Sequence, residues 1–90
     1  MVNVDVLYKN LSPSEQDAVL MLHGSLGGET KKTVNMSSFN TGSVRSVIVS
    51  ALRLCEVSGM LTKRSKGAGG TEIKVLDQEA FNKLSEMITG

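Results

Sequence analysis

Arg45, Ser46, Val49, Ser50 and Arg53 recur at the spacing that places side chains on one face of a helix, and a second basic stretch follows at Lys63, Arg64 and Lys66. These residue types suit recognition of a polyanion with readable edges. A guanidinium donates two parallel hydrogen bonds to O6 and N7 of guanine, or slots into a narrow groove, which makes Arg45 the base-reading candidate. Ser46 and Ser50 offer hydroxyls to a phosphate or a base edge, and Val49 offers a methyl surface to thymine. Ser43, Arg53, Lys63, Arg64 and Lys66 are the phosphate-positioning candidates. On an arbitrary helix such a face is simply solvated; here it coincides with a second basic stretch just downstream.

Other chemistry finds little support. The run GAGGT resembles a phosphate cradle, but no Gly-Lys-Ser/Thr follows it and it joins two extended segments, whereas a P-loop opens a helix. Cys55 is the only cysteine and falls on an apolar helix face, where a thiol is a small hydrophobe and has no disulfide partner. His23, the single histidine, suits the negative end of a helix better than a metal site, because no ligand cluster accompanies it. No paired-carboxylate, triad or metal-ligand spacing occurs, so the chain is read as a non-enzyme without cofactors.

The elements that must position these residues follow from local signals. Ser43 is placed to cap a helix over 43–58, after a turn at Gly42, with Val47, Ile48, Ala51, Leu52 and Cys55 as its apolar face. Gly59 stands where that helix should stop, since glycine enters the left-handed conformation without strain. MLTKR and TEIKVL read as the strands of a hairpin, and SKGAGG between them as its tip, giving a wing over 63–71. Earlier in the chain, Ser12, Pro13 and Glu15 form a capping-box signature for a helix that buries Ala18, Val19, Leu22 and Met21 and ends at Gly24, Gly27 and Gly28. The segment 29–41 is rich in Ser, Thr and Asn, which compete for backbone hydrogen bonds, and predicts only a short or distorted helix over 35–40. Lys31 and Lys32 within it fit either a solvated turn or a phosphate contact. DQEAFNKLSEMI closes the chain as an amphipathic helix capped by Asp77, burying Ala80, Phe81, Leu84 and Ile88. Residues 1–10 fit a strand through Val2, Val4, Val6 and Tyr8, and equally a helical end through Val4, Leu7, Tyr8 and Leu11. They are read as a lead or linker end, and 11–90 as the domain.

Ninety residues suffice for one modest core, which three aromatics and no Trp leave to Val, Leu, Ile and Met. The net charge of +1 names no partner, but its distribution is uneven. Residues 42–76 hold six basic and two acidic side chains, against four and seven elsewhere, so positive charge gathers on the helix and hairpin. No apolar run approaches the roughly 20 residues that span a bilayer, which leads us to expect a cytoplasmic chain without membrane contact. The whole is an α+β winged helix-turn-helix plan, helices packed with a small antiparallel β-hairpin wing.

LSPSEQDA at the head of the first long helix, VRSVIVSALR in the helix over 43–58, and GML, RS and GT-x-IKVL through the hairpin resemble the C-terminal DNA-binding domain of the CodY family, pleiotropic transcriptional repressors of Gram-positive bacteria. The likeness runs from about Val4 into the last helix. It implies an operator-reading domain whose Arg45, Ser46, Arg64, Ser65, Gly67 and Gly70 match the family's pattern, with Ser65 joining the DNA-binding set. It also implies a dimeric regulator with a separate N-terminal domain that senses branched-chain amino acids, and GTP in some members; nothing in these 90 residues corresponds to that domain. TVNMSSFNTG replaces a well-formed family helix, Ser50 is shorter than the family's residue, and Leu54 and Cys55 replace a more polar pair, so a shifted base preference is expected. The competing reading is a winged helix used as a protein-interaction or dimerisation module, which would show an exposed apolar patch and weak salt dependence.

Overall fold

The computed structural model describes residues 2–35, 45–67 and 70–90. Among these described residues, four helices and three strands follow in the order α1 (Val4–Asn10), α2 (Pro13–Leu26), β1 (Lys31–Val34), α3 (Arg45–Val57), β2 (Leu61–Ser65), β3 (Thr71–Val75) and α4 (Gln78–Thr89). The strands form one antiparallel sheet in the order β1-β3-β2, and the fold is an α+β winged helix.

The helix starts obey local chemistry. At α2 the Ser12 hydroxyl accepts from the Glu15 amide at 3.2 Å while Glu15 Oε1 accepts from the Ser12 amide at 2.8 Å, closing the expected capping box with Pro13 in the first turn. Asp77 caps α4 by accepting from the Ala80 amide at 3.0 Å. The lead is helical: Asn3 caps α1, whose Val4 and Leu7 are buried one turn apart. A strand would have sent Val4 and Val6 to the same side, whereas here Val4 is in the core and Val6 is outside.

Two elements depart from expectation. Gly24 does not end α2; the helix runs through it to bury Leu26 and turns out at Gly27. Residues 31–34, placed in a weakly structured stretch by their sequence, form β1, which pairs with β3 in the register Lys31 to Lys74 and Val34 to Thr71. The short helix expected over 35–40 and the Ser43 cap lie, apart from Asn35, outside the described residues.

The core gathers Leu22 and Leu26 of α2, Ile48, Leu52 and Cys55 of α3, Leu61 and Ile73 of the sheet, and Phe81 and Leu84 of α4. Met21, Val47 and Ile88, expected in it, are half-buried. Cys55 is fully buried, and desolvation, joined by the nearby Glu15 carboxylate, pushes its thiol up to about 12, so it stays protonated and inert. His23 does more than face a helix end. Its Nε2 lies 2.9 Å from Asn82 Oδ1 and its ring meets Phe81 edge-on at 4.9 Å, tying α2 to α4.

Candidate nucleic-acid interface

The joint between α3 and the hairpin fixes how the two basic segments sit together. Gly59, at φ 87°, carries the chain out of α3 in a Schellman turn: its amide donates to the Glu56 carbonyl at 3.0 Å, and the Met60 amide donates to the Cys55 carbonyl at 3.2 Å. Glu56 adds a second tie, because its Oε2 accepts from the Lys63 amide at 3.3 Å. On the other side the Met60 carbonyl accepts from the amides of Leu76 and Asp77, at 2.9 and 3.1 Å. Helix and wing are therefore coupled through backbone hydrogen bonds at both roots of the hairpin.

Along α3, Ser46, Val49, Ser50 and Arg53 are exposed on one stripe, opposite the buried Ile48, Ala51, Leu52 and Cys55. Val49 is 42% exposed, so its methyl groups are accessible on that stripe. Arg45 opens α3; Ser43 lies outside the described residues. Ser50 has a partner that its sequence context hides: its hydroxyl donates to Glu15 Oε2 at 2.7 Å, joining α3 to the start of α2. That bond, followed by the capping-box bond from the Ser12 amide, holds the Glu15 carboxyl below the usual carboxylate range. The hydroxyl oxygen can still accept, so Ser50 is turned from a free donor into an anchored acceptor.

A depressed folded-state pKa contributes stability that is present above the ordinary carboxylate pKa and is lost as pH falls through the folded value. Ser50→Ala is therefore expected to cost about 0.5–1 kcal/mol at neutral pH, less than a sheltered bond to a charged group contributes because water screens it. Denaturant melts at neutral and acid pH check this. The gap between parent and variant should close as Glu15 protonates; a gap that persists would assign the effect to something other than this bond.

In the wing, strand alternation separates residues that are neighbours in sequence. Lys63 pairs in register with the buried Ile73, on the face toward the helices, and is half-buried. Arg64 pairs with Glu72 on the outer face, together with Thr62, Lys74, Lys31 and Thr33. Lys66 joins that outer face through an ion pair with Glu72 at 3.2 Å, and Lys31 approaches the same carboxylate at 4.0 Å. Ser65 is exposed, and its hydroxyl accepts from the Gly67 amide at 3.4 Å, shaping the tip. Lys63 thus does not share a surface with Arg64 and Lys66. Lys31 and Lys74 do, a grouping visible only once 31–34 is known to be a strand beside β3. Lys32 serves the fold: its Nζ donates to the Ser25 carbonyl at 2.8 Å at the end of α2 and lies 3.8 Å from Glu29.

An exposed polar stripe on the helix that precedes a basic hairpin, on an α+β scaffold, defines a winged helix-turn-helix domain of the DNA-binding class. Residues 29–88 match the CodY helix-turn-helix domain, and the chain belongs to that family, with a role in DNA binding and transcription regulation. The match takes in the whole sheet, α3 and nearly all of α4, while α1 and α2 precede it. Among the described residues no helix is long and apolar enough to cross a membrane.

Proposed function

We propose that the chain is the operator-reading domain of a CodY-like transcriptional regulator, binding duplex DNA sequence-specifically with α3 in the major groove and the wing on the adjacent phosphates. The observation that carries this reading is the exposed stripe of Ser46, Val49, Ser50 and Arg53, held beside the basic wing by the Gly59 turn and the Glu56 tie. In this arrangement Arg45, in the first turn of α3, reads a base edge. Ser46 accepts or donates at the groove wall, Ser50, its proton held by Glu15, accepts there from a base amino group, and Val49 covers a thymine methyl. Ser43, Arg53, Arg64, Ser65 and Lys66 set the register on the backbone, whereas Lys63, on the opposite face of the hairpin, is left out of that set. The operative species is a dimer of the full regulator, acting in the cytoplasm as a non-enzymatic repressor, with effector sensing supplied by a domain outside these 90 residues.

Titrating the chain with short duplexes of varied sequence at two salt concentrations tests the reading, because phosphate contacts make affinity fall with salt and base contacts make it depend on sequence. Arg45→Ala is expected to weaken the preferred duplex by about 1–3 kcal/mol and to flatten the base preference at one position. A variant that binds every duplex as tightly as the parent would reduce Arg45 to a surface charge.

One feature favours the protein-interaction reading. Val6 and Val57, 52% and 78% exposed, flank a groove of about 310 Å³ between α1 and the end of α3, lined also by Leu7 and Leu54. Affinity for duplex that is absent, or indifferent to salt, would transfer the function to that groove.

A further inference from the structure

The outer face of the sheet carries Lys31, Arg64, Lys66 and Lys74 around a single carboxylate, Glu72. Glu72 lies beneath this canopy: its side chain is 21% exposed, against 46% for Lys66 and 64% for Lys31. Lys66 reaches it at 3.2 Å, Lys31 stands at 4.0 Å, and Arg64 is its direct cross-strand partner. A phosphate approaching the wing meets cations that already have an anion.

We propose that Glu72 is an internal counter-anion of the wing that competes with DNA phosphate for Lys66 and so trims the sequence-independent part of duplex affinity. This rests on the DNA-binding reading above and specifies the regulation of that surface. A phosphate that takes Lys66 must break an existing ion pair, and it then sits near a carboxylate stripped of its closest cation. Both costs are the same for every base sequence, because neither involves a base edge. Arg64 and Lys74, exposed on the same face, remain available for the backbone. The Lys66 hydrogen bond, then the nearby positive charges, hold the Glu72 carboxyl below the usual carboxylate range, so it stays ionised at neutral pH.

The test is a double-mutant cycle on the 90-residue chain, using Glu72→Gln, Lys66→Gln and both together, each titrated with two short duplexes of unrelated sequence at two salt concentrations. Glu72→Gln keeps the side-chain shape and removes the charge. It is expected to bind both duplexes roughly two- to fivefold more tightly, the range set by an exposed ion pair. Its salt slope should steepen by about 0.9, the increment for neutralising one more phosphate. Lys66→Gln should then cost more affinity in the Glu72→Gln background than in the parent, a coupling that a merely structural role for Glu72 would not create. Equal or weaker binding by Glu72→Gln, or an equal cost of Lys66→Gln in both backgrounds, overturns the proposal while leaving DNA binding intact. If the parent and all three variants fail to bind duplex at either salt, the DNA-binding reading falls, and this one with it.

Discussion

Two copies of the chain, held together by a dimeric partner fused ahead of Val2, are expected to bind a palindromic duplex roughly 10²- to 10⁴-fold more tightly than the single chain binds one half-site. The physical cause is effective concentration. One copy offers a single stretch of α3 and a wing whose Lys66 is already paired with Glu72, on a molecule of net charge +1, so its phosphate contacts are few. Once the first half-site is occupied, a tethered second copy binds as if at millimolar concentration. The fusion point suits this, because Val4 and Leu7 anchor α1, which begins two residues on, in the core. Affinities for palindromic and single-site duplexes, measured side by side, check the expectation. An equal gain on both would show that tethering only adds charge, and nanomolar operator binding by a demonstrated monomer would remove the need for a dimer. The single chain is likewise expected to give no calorimetric heat with isoleucine, valine or GTP.

Gly70→Ala should destabilise the fold far more than the loss of any single charge on the wing. Gly70 has φ 101°, a conformation that side-chain-bearing residues rarely adopt, and a Cβ there would lie 2.6 Å from the Val34 carbonyl oxygen. The obstructing atom is backbone, so no side chain can swing aside. Relief requires parting β1 from β3, and with it the pairing of Val34 with Thr71. The Gly70 backbone also closes the wing tip, its carbonyl accepting from the Lys66 amide at 2.8 Å and its amide donating to the Gly67 carbonyl at 3.2 Å. A loss of about 3 kcal/mol is expected, which for a chain of this size lowers the melting temperature by on the order of 10–20 °C. Thermal melting checks the magnitude. Amide exchange checks the location, since Thr71 to Val75 should lose protection before α2 and α4 do. Gly67→Ala, at φ 61° with nothing within 4 Å of its Cβ, should cost distinctly less, because only the backbone conformation is strained.

The local signals in the sequence were decisive wherever the interacting groups lie within a turn of each other. Ser12 with Glu15, Asp77 with Ala80, Gly59 with the Glu56 carbonyl and Met60 with the Cys55 carbonyl form within a few residues, so their geometry is implied by spacing alone. The apolar period of α3 likewise separated its buried Ile48, Ala51, Leu52 and Cys55 from its exposed stripe without tertiary information. Between strand and helix for the lead, the period did not discriminate; contact with α4 selects the helix, because only that form turns Val4 and Leu7 inward together.

What only the tertiary structure decided depends on partners distant in sequence. β1 shows no alternation worth reading, with three exposed residues and one buried, and it is a strand because β3, about 40 residues later, supplies its hydrogen bonds. Gly24 is a poor helix residue, but α2 continues through it because burying Leu26 outweighs a propensity cost of about 1 kcal/mol. Pairing register places Arg64 and Lys66 on the outer face and Lys63 on the inner one, although all three look alike as a basic run. The hydroxyl of Ser50 is directed by Glu15, 35 residues away. Residue type and period state which side chains can do chemistry; which of them stand together, and which already hold a partner, is settled by long-range pairing and packing, which no short window of sequence contains.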